Sequence, residues 1–115
     1  MAKTAFVPDR GDVVWLNFHP QEGHEQAGRR PGLVISPRLY HERSGLIIVC
    51  PITSKAKGYP FEVPIPDGHP VAGVVLADQV KSFDFRARDA EFWCHPGGEV
   101  VGEVVDRLGL LLHPE

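Results

Sequence analysis

The side chains best able to do chemistry fall in three stretches of this chain. The first is Gly23-His24-Glu25-Gln26-Ala27-Gly28-Arg29-Arg30-Pro31, in which two glycines bracket an imidazole, a carboxylate and an amide, and two guanidinium groups precede a proline. Glycine permits a tight backbone and Pro31 fixes where the next strand begins, so Glu25 and Arg30 are candidates to be held in a defined relation. On composition alone the same loop reads first as a solvated hairpin with an incidental Glu25/Arg30 pair, because charge clusters are common in surface loops. The second stretch, Thr53-Ser54-Lys55-Ala56-Lys57-Gly58, sets hydroxyls and ammonium groups after a buried run. Both groups suit phosphate oxygens, which accept hydrogen bonds and attract cations. The third, Ala77 to Arg88, carries Asp78, Gln79, Lys81, Arg86 and Arg88 with Phe83 and Phe85 interleaved. Alternation makes those phenylalanines core residues before it makes them stacking platforms. Cys94 and His95 are adjacent, there is no Cys-x-x-Cys, and the six histidines are dispersed, a pattern that speaks against zinc. Nucleotide-binding glycine loops and a Gly-x-Ser-x-Gly elbow are missing too, so no metal and no cofactor is expected.

Short apolar runs punctuated by 12 glycines and 11 prolines must position these groups. Strands are expected at 12–18, 32–36 and 46–52, with a short polar turn or helix over 38–44. In 59–65 the residues Tyr59, Phe61, Val63 and Ile65 alternate with period two, and Pro60 and Pro64 assign that strand to an edge. Further strands are expected at 73–77 and within 80–92. Val101, Val104, Val105, Leu108, Leu111 and Leu112 fall at helical spacing, with Glu99 and Glu103 near the start, where the helix dipole favours anions. The reading is one terminal amphipathic helix packed on a small antiparallel barrel, in a single domain spanning 1–115.

The chain has 115 residues, enough to bury roughly two-thirds of its unfolded surface without staples. Its net charge of −3 argues against a protein that coats nucleic acid, but the charge is unevenly divided. Residues 1–28 carry −2, residues 29–88 carry nine basic and five acidic side chains, and residues 89–115 carry six acids against Arg107 alone. A basic face is therefore available from the middle of the chain, with the acidic tail elsewhere. Cys50 and Cys94 read as buried small hydrophobes, with a disulfide left open. Neither a secretory leader nor an apolar run of bilayer length is evident, so the expected location is the cytoplasm, away from membranes.

Four segments in order, Val7 to Trp15, Gly23 to Pro31, Pro51 to Val63 and Gly73 to Ser82, strongly resemble the MazF/PemK family of toxin endoribonucleases. The resemblance covers residues 7 to about 112. It implies a mainly β fold, a small SH3-like antiparallel barrel of the CcdB/MazF kind with short helices and a C-terminal α-helix. It further implies a homodimer, sequence-specific and metal-independent cleavage of single-stranded RNA (an mRNA interferase), and a MazE-like antitoxin whose acidic, largely disordered tail occupies the RNA groove. By position, Arg30 matches the family's catalytic arginine, Thr53 its catalytic Thr or Ser, and Glu25 its loop glutamate. The implied reaction is attack of the ribose 2′-hydroxyl on the adjacent phosphate, leaving a 2′,3′-cyclic phosphate and a 5′-hydroxyl. Arg30 suits charge stabilisation on the phosphorane, since its planar fork stays protonated and grips two oxygens. Glu25 is then the candidate proton acceptor and Thr53 a donor to phosphate oxygen. His24 stands where many relatives carry a small hydroxyl residue; it either joins the proton transfer or merely lines the loop. For RNA binding the expected residues are Gln26, Arg29, Lys57, Lys81 and Arg86, with Asp78 and Gln79 reading base edges. Two other classes share the barrel: CcdB-like toxins that poison gyrase without cleaving RNA, and SH3-like modules that only bind. A family member that retains binding but has lost activity is a third reading.

Overall fold

The computed structural model describes residues 6–18 and 28–114; among these residues the architecture is mainly β, with two helices. In chain order these are β1 (Val13–Asn17), β2 (Arg29–Val34), α1 (Arg38–Ser44), β3 (Leu46–Thr53), β4 (Glu62–Pro64), β5 (Val74–Leu76), β6 (Lys81–Asp84), β7 (Glu91–Cys94) and α2 (Gly98–Leu112). All pairings are antiparallel, in the order β4-β5-β3-β2-β1-β7, with β6 also paired to β3. β3 is the axis of the fold. One edge pairs with β2; along the other, β5 lies opposite Ile52 and Thr53 and β6 opposite Leu46 to Val49. Ala77 to Val80 loop out between β5 and β6. Among the described strands β4 and β7 are not paired to each other, so the small antiparallel barrel expected from the resemblance is a loose one, with its sheet left open.

Successive side chains in a strand face opposite ways, and the sheet accordingly separates two apolar clusters. Val13, Leu33, Cys50 and Ile52 line one face, where α2 buries Val100, Val101 and Val104. Val14, Leu16, Val34, Ile47, Val49, Phe83 and Phe85 build the other. Each fully buried valine of α2 contributes about 1.5–3 kcal/mol, which fixes the helix against the sheet. Its last turns extend beyond that cover: Val105, Leu110, Leu111 and Leu112 are exposed, so the helical stripe read from sequence is buried only in its first half. Arg107 tethers α2 to the start of β4, donating to the carbonyls of Pro60 and Glu62 and pairing with Glu103.

α1 ends at Gly45, whose φ of +77° lets its N–H reach the His41 carbonyl. His41 is fully buried, with Nδ1 on the Pro8 carbonyl at 2.7 Å and Nε2 on Ser36 Oγ at 2.6 Å. Ser36 Oγ also accepts the Ile48 N–H, so one imidazole ties Pro8, β2's exit and β3 together. Both cysteines are free and buried. Phe83 and Phe85 are core residues, as their alternation predicts. No described helix is long and apolar enough to cross a membrane.

Candidate functional site

The site forms where β2 begins and β3 ends. Arg30 pairs across the sheet with Leu16 near the start of β2, and Thr53 closes β3. Two clefts open there. One, about 440 Å³, is lined by Trp15, Arg29, Arg30, Thr53, Lys55 and Trp93 among others. A second, about 260 Å³, is lined by Arg30, Thr53, Lys55, Lys57, Tyr59, Glu62, Leu76 and Gln79. Arg30, Thr53 and Lys55 belong to both, forming the wall between them.

Local structure explains how each group is held. Thr53 Oγ1 accepts the Lys55 N–H at 3.1 Å, turning the chain sharply after β3. Behind Thr53 sits Gly73, at φ +119°, so close that a Cβ there would lie 2.2 Å from the Thr53 carbonyl oxygen. Glu62 accepts the Lys57 N–H on both oxygens, at 3.1 and 3.0 Å, and the Gly58 N–H at 2.9 Å. That carboxylate is buried and anchors the lysine loop. It is also a correction: the period-two reading of 59–65 assigns Glu62 to the solvent face and Tyr59 to the core, whereas Tyr59 is exposed. A lone acid inside an apolar alternation was the available signal.

The two neighbouring arginines differ sharply. Arg29 is fully engaged, contacting Asn17 Oδ1, the carbonyls of Trp15 and Asp89, and Glu91 Oε1 at 2.9 Å. Arg30 is exposed and makes no side-chain hydrogen bond or ion pair among the described residues. Lys57 and Gln79 reach the smaller cleft, whereas Asp78 sits exposed one residue before Gln79 and Lys81 lies opposite Val49 in mid-strand. Arg86 is not brought to the site. It follows Asp84, which pairs with Leu46 at the far end of β3, about 23 Å from Thr53 at the usual strand rise. There it lies over the Phe85 ring, 4.7 Å from guanidinium carbon to centroid. His24, Glu25 and Gln26 lie outside the described residues.

Sequence reasoning missed Trp15 and Trp93. In the β1–β7 ladder Val13 pairs with Cys94 but Val14 pairs with Phe92, leaving Trp93 as an extra, bulged residue. Its indole stacks on Trp15, with centroids 4.8 Å apart and planes inclined by 30°.

Chemically, a charged guanidinium, a hydroxyl and an ammonium group converge between two base-sized hollows, on a small antiparallel β framework closed by a C-terminal helix. Groups of these kinds suit the oxygens of a phosphate ester, with room for a substituent on either side. The family model described as "PemK-like, MazF-like toxin of type II toxin-antitoxin system" matches residues 9–112. The chain belongs to that family. It is 51% identical over 85 residues to the endoribonuclease toxin MazF of Escherichia coli strain K12, covering 74% of this chain and 76% of that protein. The crystal structure of MazF (Form-I) from Deinococcus radiodurans superposes with TM-score 0.85 at 55% identity, covering 94% of this chain and 98% of that one. A MazE-MazF structure (Form-II) from the same organism gives TM-score 0.84 at 48% identity, covering 96% and 100% respectively.

Proposed function

We propose that this chain is a single-domain endoribonuclease toxin of the cytoplasm, cleaving single-stranded RNA at a short recognition sequence and held in check by a MazE-like antitoxin. The observation that carries the reading is the wall shared by the two clefts. Arg30 and Thr53, far apart in sequence, meet there beside Lys55. A phosphodiester laid on that wall has its two flanking nucleosides directed into opposite hollows.

The 2′-oxygen bonds to phosphorus as its proton passes to Glu25, and the bond to the 5′-oxygen breaks as that oxygen takes a proton from water. The products are a 2′,3′-cyclic phosphate and a 5′-hydroxyl. Arg30, free to turn its fork towards solvent, neutralises the charge that grows on the phosphorane, a role worth several kcal/mol in a preorganised site. Thr53 donates its hydroxyl proton to a phosphate oxygen. Lys55 and Lys57 track neighbouring phosphates, and Gln79 reads a base edge in the smaller cleft. Arg29 supports this arrangement from behind, by bracing β1 against β7.

The exposed Val105, Leu110, Leu111 and Leu112 support a homodimer or an antitoxin seat on α2, since contiguous exposed apolar surface marks an interaction site. Relatives named endoribonuclease toxins give the gyrase-poisoning and binding-only readings no support.

The test is incubation of the protein with a long single-stranded RNA in EDTA, followed by mapping of the ends. Cleavage at a recurring short sequence with cyclic-phosphate ends is expected, and intact RNA refutes the reading. Arg30→Ala is expected to abolish cleavage; activity surviving in it overturns the site assignment. Three phosphate contacts give an expected slope of log K against log salt of about −2.

A further inference from the structure

The larger cleft holds a feature that its basic residues do not explain. β1 and β7 would pair regularly if one residue were removed at position 93, and the bulge there turns Trp93 onto Trp15. Bulges of this kind disrupt a ladder locally and recur where a side chain must be re-aimed. Here the aim is into the cleft. Trp15 is the cross-strand partner of Pro31, next to Arg30, and both indoles line the hollow that Arg30, Thr53 and Lys55 close on its other side. Neither ring is fully buried: Trp93 packs partly on the apolar cluster under α2, which holds it rigid, and leaves the rest of its surface to the cleft. Two stacked indoles beside cationic groups offer a flat, polarisable wall adjoining a phosphate site. That is the chemistry by which proteins hold unpaired bases.

Resting on the endoribonuclease reading, we infer that the Trp15–Trp93 stack is the platform for the nucleobase on one side of the scissile phosphate, with Trp93 the residue that gives this subsite its grip. Stacking tolerates any base, because every base has a π-face. The subsite therefore sets affinity and seating, while hydrogen-bonding groups elsewhere select sequence.

The test uses the wild-type cleavage site mapped above. A short RNA with a 2′-deoxy nucleotide at the scissile position serves as an uncleavable probe, alongside a series in which each flanking nucleotide in turn is abasic. Trp93→Ala is expected to weaken binding of the intact probe by about 5- to 150-fold, and to raise KM far more than it lowers kcat. Trp93→Phe, which keeps a ring, is expected to recover most of that loss. In the wild type, one abasic position adjoining the scissile phosphate should cost a similar factor, and in Trp93→Ala that same abasic probe should bind no worse than the intact one. Equal affinity of wild type and Trp93→Ala for the intact probe overturns the proposal. So does a loss in Trp93→Ala that simply multiplies with every abasic position, or one accompanied by a changed oligomeric state in sedimentation. Failure of the wild type to cleave any RNA would sink the nuclease reading instead. The binding comparison would then be made with an unstructured 2′-deoxy oligonucleotide, where equal affinity again overturns the stack.

Discussion

Replacing Gly73 with alanine tests whether the wall between the two clefts depends on a close backbone approach. Gly73 lies at φ +119°, and an added Cβ would stand 2.2 Å from the Thr53 carbonyl oxygen, 2.9 Å from its carbon and 3.0 Å from Ser54 Cα. Carbon and oxygen in van der Waals contact sit about 3.3–3.6 Å apart, so the two strands must separate by about 1 Å. Gly73 is not free to withdraw, because its carbonyl accepts the Ile65 N–H at 3.0 Å. The left-handed backbone costs a non-glycine residue about 1–2 kcal/mol and the overpacking about 1–3 kcal/mol. The expected destabilisation is thus about 2–5 kcal/mol, a large share of the 5–15 kcal/mol typical of a domain. Whatever separation occurs displaces Thr53, and a misplacement of about 1 Å lowers a positioned reaction on the order of 100-fold. Urea unfolding gives the first quantity, and initial rates of RNA cleavage at a temperature where the variant is still folded give the second. A stability loss under about 1 kcal/mol with a near wild-type rate would refute the reasoning, since that is no more than an ordinary point mutation costs.

Three further outcomes are expected. Glu62→Gln keeps the shape but turns an amide NH₂ towards backbone donors; it should cost about 1.5–3 kcal/mol and speed hydrogen exchange at Lys57 and Gly58, and unchanged exchange there would contradict the anchoring role. Burial lowers the pKa of His41 against the opposing pull of the Pro8 carbonyl, so the unfolded chain takes up its proton first as pH falls. The His41 share of stability is complete above about pH 6.5 and is lost below it, down to the folded-state pKa; the ring resonance should titrate below 6.5 by NMR, and a midpoint at or above that value would refute it. The Cys50 thiol is pushed up to about 12, chiefly by burial with the Asp78 charge adding to it, so iodoacetamide should leave it unlabelled in the folded protein and label it in urea, as read by mass spectrometry.

Much of this was legible in the residues. Gly and Pro punctuation bounds β1, β3 and β5 to within two residues, because those strands are apolar runs whose burial and pairing agree. β2 starts three residues before its apolar run, at Arg29, because pairing with Asn17 and Leu16 draws both arginines into the ladder. Thr53 and Arg30 were legible as a pair only through the positional resemblance, since residue type alone reads the Arg30 loop as solvated; the fold brings both side chains to the same two clefts. The distinction between Arg29 and Arg30 was not legible, for it lies in Glu91 and Asp89, some 60 positions away. Arg86 shares a segment with Gln79, yet β6 runs along β3 away from Thr53 and carries it to the opposite end. Trp93 was the least visible, since a bulge is a mismatch between two distant strands and leaves no mark in either one alone.

The chain order of the cleft walls bears on when the protein becomes dangerous to the cell that makes it. Trp15 comes from β1, Arg30 from β2, Thr53 from β3, the glycine behind Thr53 from the approach to β5, and Trp93 from β7. The groups that meet there are distant in sequence, and pairings of that kind form late and together. A nascent chain ending before β7 lacks one wall of the larger cleft and the Glu91 anchor for Arg29. On the proposed reading, RNA cleavage has to wait until β7 has been made, which gives a partner made at the same time an interval in which to be present.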